Sequence, residues 1–313
     1  MVDTTESRPV LVAVAGDGSE SAVRYGVAEA ARRRTTVHLV HVIDLVPWRE
    51  PAVLGVAERR ARMGEETLWD AVTYARSLAG EGVLVTSELF HGEVIPGLLE
   101  AGQEAALLVL RSRPPLTSGG QPPAVCLKVA ARSRVPVVCV PHDWHGVEGA
   151  TTVTVGVDHA ETSEPALREA LAAASRRGAG LRIVCGWWMA RDNDHTGATT
   201  NGIDPRSVRG DLERVVATIV AGDERLAAVP VTVDVQHARP ADLLVDASHG
   251  TDLLVVGRHD PLVPRGSRIG PVARSVVARA SCPVLLPVPG GTSHLWHGAA
   301  QREVQQQRTG AHA

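Results

Sequence analysis

Along this chain, near-continuous runs of valine, leucine and isoleucine alternate with longer stretches in which apolar residues recur every three to four positions. The runs predict strands buried on both faces, and the periodic stretches predict amphipathic helices. In the first half, strands are predicted at Val10–Ala15, Val37–Ile43, Val83–Phe90, Ala106–Leu110 and Val135–Val140. Helices are predicted at Ser21–Arg33, within Ala57–Ala79, from about Glu93 and near Ala124–Arg132. The second half repeats the order. Its strands are Thr152–Val157, Leu181–Trp187, Val231–Gln236, Asp252–Val256 and Val284–Val288, and its helices are Glu164–Arg177, Val208–Ala228, Ala241–Ser248 and Val272–Ala280. Five strands with helices between them make each half an α/β unit with a doubly wound, Rossmann-like parallel sheet.

The halves are copies of one another. Read from Leu110, LRSRPPLTSGGQPPAVCLKVAARSRVPVVCVP lies without a gap over GRHDPLVPRGSRIGPVARSVVARASCPVLLPVP, read from Gly257. Two tandem domains follow, at 8–142 and 150–289, with Asp143 to Gly149 as the joint. The polar stretch Arg191 to Asn201 reads as a mobile loop and residues 290–313 as a disordered tail. The copies differ where a ligand would matter. The second keeps Gly257 and Gly270 at positions where the first has Leu110 and Pro123, so a ligand held by the repeated turn would be held by the second copy alone.

Composition narrows the function. At 313 residues and 44 % apolar, the chain has enough material for two cores. A formal charge of −3 without a basic block leaves no footprint for a nucleic-acid backbone or an anionic membrane. The N-terminal MVDTTESRPV lacks a signal-peptide core and no run reaches the length of a membrane span, so a cytoplasmic protein is expected. Cys126, Cys139, Cys185 and Cys282 form no CxxC pair and read as buried thiols. Lys128 is the only lysine among 32 basic residues, and no GxxxxGK[ST] loop occurs. His142 with His145, and His294 with His297, lack neighbouring Cys or paired acids, so no metal is required. Neither a GxSxG elbow nor another nucleophile and base can be assembled, and no enzymatic activity is expected.

In a doubly wound sheet, ligands sit beyond the carboxyl ends of the strands, where the chain order reverses. Asp158 ends the first strand of the second copy and Gly257 ends the fourth. Between Gly257 and the helix opening near Gly270 lie Arg258, Arg265, Gly266, Ser267 and Arg268. A cationic loop facing a helix N-terminus is a plausible phosphate cradle. Each residue also has a plain structural reading. Asp158 can close a turn, Gly257 can mark a strand exit at positive φ, Gly270 and Pro271 can be helix-start punctuation, and the arginines can be a solvated face. In the first copy the corresponding turn, GDGSESAV, reads more readily as a helix cap by Ser19 or Asp17.

The segments VTVGVDHAETSEPALREAL, VDVQHARPADLLVDA and TDLLVVGRHDPLVPRGSRIGPVARSVVARASCPVLLPVP resemble a universal stress protein domain, and the internal copy makes the chain similar to the tandem form of that family. The resemblance covers nearly all of residues 8 to 290. It implies the universal stress protein, or adenine nucleotide alpha hydrolase-like, fold and a site of the form GxxG(x9)G[S/T] that binds ATP in one subgroup. Laid on this motif, Gly257 and Gly270 match, while Asp260 and Pro271 replace the second glycine and the hydroxyl residue. The first copy, with Leu110, Arg113, Pro123 and Ala124, matches at none of the four positions. Weak binding of ATP or another adenine nucleotide is therefore expected in the second copy only, at Asp158, Val184, Gly257, Arg258, Arg268, Gly270, Pro271 and Val272. The resemblance also implies that the last strands, PVVCVP and PVLLPVP, pair across a two-fold axis. Here they would pair within one chain as a pseudo-dimer, with Pro287 limiting the ladder, and a homodimer is possible beyond it. The alternative is a stress-response interaction module that binds no nucleotide and acts through dimerisation and protein partners.

Overall fold

The computed structural model describes residues 8–16, 19–43, 54–112, 125–146, 152–160, 162–187, 204–258 and 269–289. The first half supplies β1 (Val10–Val14), α1 (Glu20–Arg33), β2 (Val37–Ile43), α2 (Leu54–Ala79), β3 (Val85–His91), α3 (Val94–Ala101), β4 (Leu107–Ser112), α4 (Val125–Ala130) and β5 (Val137–Pro141). The second supplies β6 (Thr152–Val157), α5 (Glu164–Arg177), β7 (Gly180–Trp187), α6 (Pro205–Ala221), β8 (Val231–His237), α7 (Pro240–Ala247), β9 (Leu253–Val256), α8 (Pro271–Arg279) and β10 (Val284–Leu286). The loop at 191–201 and the tail at 290–313 lie outside the described residues.

Of the elements that stop short of the sequence expectation, two have a clear local reason. Helix α6 ends at Ala221, where Gly222 caps it and the Asp223 carboxylate accepts from the Arg225 amide to start a new 3-10 turn. Strand β10 ends at Leu286 because Pro287 has no N–H for the ladder.

The strands form one sheet in the order β3-β2-β1-β4-β5-β10-β9-β6-β7-β8. Pairing inside each half is parallel. At the centre β5 and β10 run antiparallel, with Val284 opposite Cys139, Leu285 opposite Val138 and Leu286 opposite Val137. Each half therefore has a reversal of strand order, between β1 and β4 and between β6 and β9. Helices α1, α2, α5 and α6 bury Val23, Leu68, Leu167 and Leu212 on one face of the sheet. On the other, α3, α4, α7 and α8 bury Leu98, Val129, Leu244 and Val276. Each such side chain contributes roughly 1.5–3 kcal/mol. All four cysteines are buried free thiols.

Where α1 meets α5, an ionic cluster crosses between the halves. The Glu29 carboxylate, 2 % exposed, accepts from Arg33 Nε at 2.8 Å and from Arg177 Nη2 at 2.6 Å. Arg177 also donates to the Tyr25 hydroxyl at 3.0 Å, and the Tyr25 ring meets Trp144 edge to face at 5.6 Å. Burial alone would raise the Glu29 carboxyl. Arg177, Arg33 and Arg176 outweigh it and hold the group at about 2. Burial first, then Glu29, pushes the Tyr25 phenol up to about 12.

Candidate functional site

The reversal in the second half places the end of β6 beside the end of β9, since Val155 pairs with Val255 and Gly156 with Val256. Asp158 and Gly257 thus flank one crevice. Asp158 is exposed at its rim, and its Oδ1 accepts from the His159 amide at 2.8 Å, Ser163 Oγ at 3.2 Å and Thr162 Oγ1 at 3.4 Å. These bonds fix the carboxylate at the turn into α5, and its other oxygen makes no hydrogen bond within the described residues. Beneath it, the buried Cys185 thiol donates to the Asp158 carbonyl at 3.8 Å; burial, then Asp158, raises that thiol. Spacing gave no sign of Cys185, because only the β6–β7 pairing brings it under the turn.

Gly257 does not sit at positive φ, and a Cβ built on it meets nothing within 4 Å. What the glycine provides is open space at the end of β9. At the opposite wall, Gly270 is the N-cap of α8 with φ −69° and no side-chain cap. Its own amide is already donated, to the Arg258 carbonyl at 2.8 Å. Pro271, the first helical residue, has no N–H to give. That leaves the Val272 and Ala273 amides as the orphan donors of the first turn.

Two of the expected contacts are corrected by the structure. Arg258 is 3 % exposed and faces away from the crevice. Its guanidinium donates five hydrogen bonds to main-chain carbonyls: Nη1 to Ala130 and Ser133, Nη2 to Val135 and Leu286, and Nε to Leu286, at 2.6–3.3 Å. Three of those carbonyls belong to the turn between α4 and β5 of the first half. The orphan carbonyls of a short helix end need a donor, and a five-donor fork meets several at once. Burial lowers the group to about 10, still protonated at neutral pH. Val184 is 1 % exposed and packs in the apolar cluster that holds Leu244, so it forms core beneath the sheet end. Arg268, with Asp260, Arg265, Gly266 and Ser267, lies outside the described residues.

The first half shows the same place closed. β1 and β6 share one burial pattern over their first five described positions from Val10 and Val153, which sets Ala15 where Asp158 stands. With no carboxylate there, the Ser19 hydroxyl turns to the backbone. Its Oγ accepts from the Ala15 amide at 2.7 Å, and Ser19 makes no side-chain cap on α1. Leu110, in the position of Gly257, is 3 % exposed and fills the core. Asp17 lies outside the described residues.

Among the described residues, no group of three His, Cys, Asp or Glu is arranged to hold a metal ion, and His142 Nδ1 lies 3.6 Å from the Asp143 carboxylate. No helix among them is long and apolar enough to cross a membrane.

The family model described as the universal stress protein family matches this chain twice, over residues 6–141 and 150–288. The chain belongs to the universal stress protein family. It is similar to the universal stress protein Rv2005c of Mycobacterium tuberculosis, at 31 % identity over 290 residues covering 88 % of this chain and 96 % of the relative. In fold it is similar to a universal stress protein from Archaeoglobus fulgidus, with a TM-score of 0.66 and 17 % identity over 92 % of this chain and 99 % of that one. A shorter universal stress protein, solved in complex with cAMP, covers 45 % of this chain and is itself covered to 98 %, at 23 % identity and a TM-score of 0.34. The family match falls on both halves, so this is a tandem universal stress protein of α/β fold.

Proposed function

We propose that this tandem universal stress protein is a non-enzymatic, cytoplasmic stress-response protein that binds ATP or another adenine nucleotide weakly, and only in its second domain, the first serving as scaffold in an intrachain pseudo-dimer. The observation that carries the reading is the unfilled space at Gly257, between the Asp158 carboxylate and the N-terminus of α8, set against Leu110 filling the equivalent place in the first domain. A carboxylate at a strand end suits a ribose hydroxyl or an adenine amino group, and helix-start amides suit a phosphate. Asp158, Gly257 and Gly270 shape this crevice, the Val272 amide faces the phosphate, Pro271 contributes only surface, and Arg268 is the loop charge left to it.

Weakness follows from the same atoms. Arg258 has no N–H to spare, the Gly270 amide is committed and Pro271 has none. Losing one or two charge-assisted hydrogen bonds, at roughly 1.5–3 kcal/mol each, lowers affinity by about 10-fold to more than about 10,000-fold.

The test is isothermal titration of the whole chain with ATP and with Mg-ATP. Saturation at one nucleotide per chain is expected. Gly257→Leu with Gly270→Pro, which imports the first domain's residues, should abolish binding, and Asp158→Ala should weaken it by about 10-fold or more. No heat at millimolar nucleotide would instead favour the second reading, an interaction module without nucleotide, for which the commitment of Arg258 to main-chain carbonyls is the supporting observation.

A further inference from the structure

The outer helix α2 differs from its counterpart α6 in a way that neither the nucleotide crevice nor the core explains. On α2, Trp69 is 68 % exposed and Met63 58 %, with Val56 also in solvent. On α6 the exposed positions include Arg206, Arg209, Glu213, Arg214, Ala217 and Thr218, and no large apolar side chain is exposed there. Charge on α2 is also divided over its middle turns. Arg59, Arg60 and Arg62 lie exposed first and Glu65, Glu66 and Asp70 after them, the last three walling a shallow depression around Trp69, while Glu58 and Arg76 lie exposed on either side of this segment.

A helical segment that is basic at one end and acidic at the other complements itself when two copies lie antiparallel. At about 100° per residue, Glu66 points straight away from the buried face of α2, Trp69 and Arg62 fall to one side of it, and Asp70 and Arg59 to the other. A two-fold axis passing by Glu66 keeps each residue on its own side and reverses its height along the helix. Trp69 then lies over Arg62 of the other copy, and Asp70 lies near Arg59 of the other copy. Both contacts are of kinds that stabilise interfaces, cation–π and ion pair. The inner sheet edges cannot serve for this, because β5 and β10 are already paired with each other.

We propose that the exposed face of α2 is a self-association surface through which two copies of this chain pair, with α2 antiparallel to α2. The inference is independent of whether a nucleotide binds. The contact is small, so the dimer is expected to dissociate at roughly 10–500 µM.

Sedimentation velocity of the full chain across that range tests it. Trp69→Ala should weaken the dimer by about 10-fold or more. Asp70→Arg should weaken it by roughly 3- to 10-fold, and adding Arg59→Asp should restore it. Glu66→Gln, which removes the like charges meeting at the axis, should tighten it by about 2- to 3-fold. These side chains are exposed, and far-ultraviolet circular dichroism checks that each variant folds. A chain that stays monomeric to about 1 mM overturns the proposal, as does a dimer unmoved by Trp69→Ala and by the charge reversal. Monomeric protein that instead binds a deca-arginine peptide through Trp69 overturns it in favour of a basic partner segment.

Discussion

The two domains share a fold and differ at one sheet reversal each. In the second, Asp158 holds three donors and Gly257 leaves space open; in the first, Ala15 and Leu110 stand in their places and the space is core. The first domain also contributes differently at the junction between the halves. It supplies Glu29, to which both Arg33 and Arg177 attach, and the carbonyls of Ala130, Ser133 and Val135, to which Arg258 attaches. The second domain returns a more exposed carboxylate, Glu169, 3.6 Å from Arg33 and 3.3 Å from Arg176, while Ala173 occupies the turn of α5 that matches Glu29 in α1.

That asymmetry can be broken most severely at Glu29. Glu29→Ala strips the buried Arg177 of its carboxylate hydrogen-bond partner and leaves Arg33 only Glu169, 3.6 Å away, and should destabilise the chain by about 3–5 kcal/mol in urea unfolding. Acid should do the same to the natural protein. The folded pKa of about 2 lies below the ordinary 4.5, so the contribution is complete above about pH 4.5 and is lost as pH falls toward 2. The shift is worth roughly 3 kcal/mol, and Glu29→Ala should flatten the acid limb of the stability profile by that amount.

Next in size is Arg258. Arg258→Met keeps the aliphatic stem but strips donors from four carbonyls, three of them in the turn between α4 and β5 of the other domain. A loss of about 2–4 kcal/mol is expected by chemical denaturation. The fragment 8–142 has no Arg258, so amides near Ser133 should exchange faster with solvent in the variant than in the whole natural protein.

These two clusters mark the boundary of what sequence reveals. Elements governed by their own residues were readable: Val37–Ile43, Thr152–Val157 and Glu164–Arg177 fall where periodicity places them. The sequence difference at the repeated turn was also readable, since Leu110 and Pro123 stand where the second copy has Gly257 and Gly270 in a gapless alignment. Arg258 was not, because a guanidinium beside a glycine-rich turn has the same pattern whether it faces a phosphate or a carbonyl. Three of its four partners lie 123–128 residues away, and only the packed junction identifies them. Val184 misled for a related reason. A valine near a strand end lines a crevice or the core according to the face it takes, and the packing of α7, with Leu244 pressed toward the backbone at Gly156, seals that face.

The finest difference between the copies lies at the ends of α1 and α5. Both helices are 14 residues long and both stop on a left-handed residue, Gly178 at φ 61° in the second domain and Arg34 at φ 52° in the first. The same bonds close both ends, from Thr35 to the Ala30 carbonyl and from Ala179 to the Ala174 carbonyl, each at 3.0 Å. A side chain at left-handed φ brings Cβ against the following carbonyl, a strain glycine avoids. Arg34 is exposed, so replacing it removes little packing. Arg34→Gly should therefore raise stability by about 0.5–1 kcal/mol despite the greater freedom of glycine in the unfolded chain, and Gly178→Arg should lower it by a similar amount. Thermal unfolding of the two variants would show whether opposite shifts accompany the exchange. Equal losses in both would mean that Arg34 contributes through its charge at the helix end and that the two caps are not equivalent.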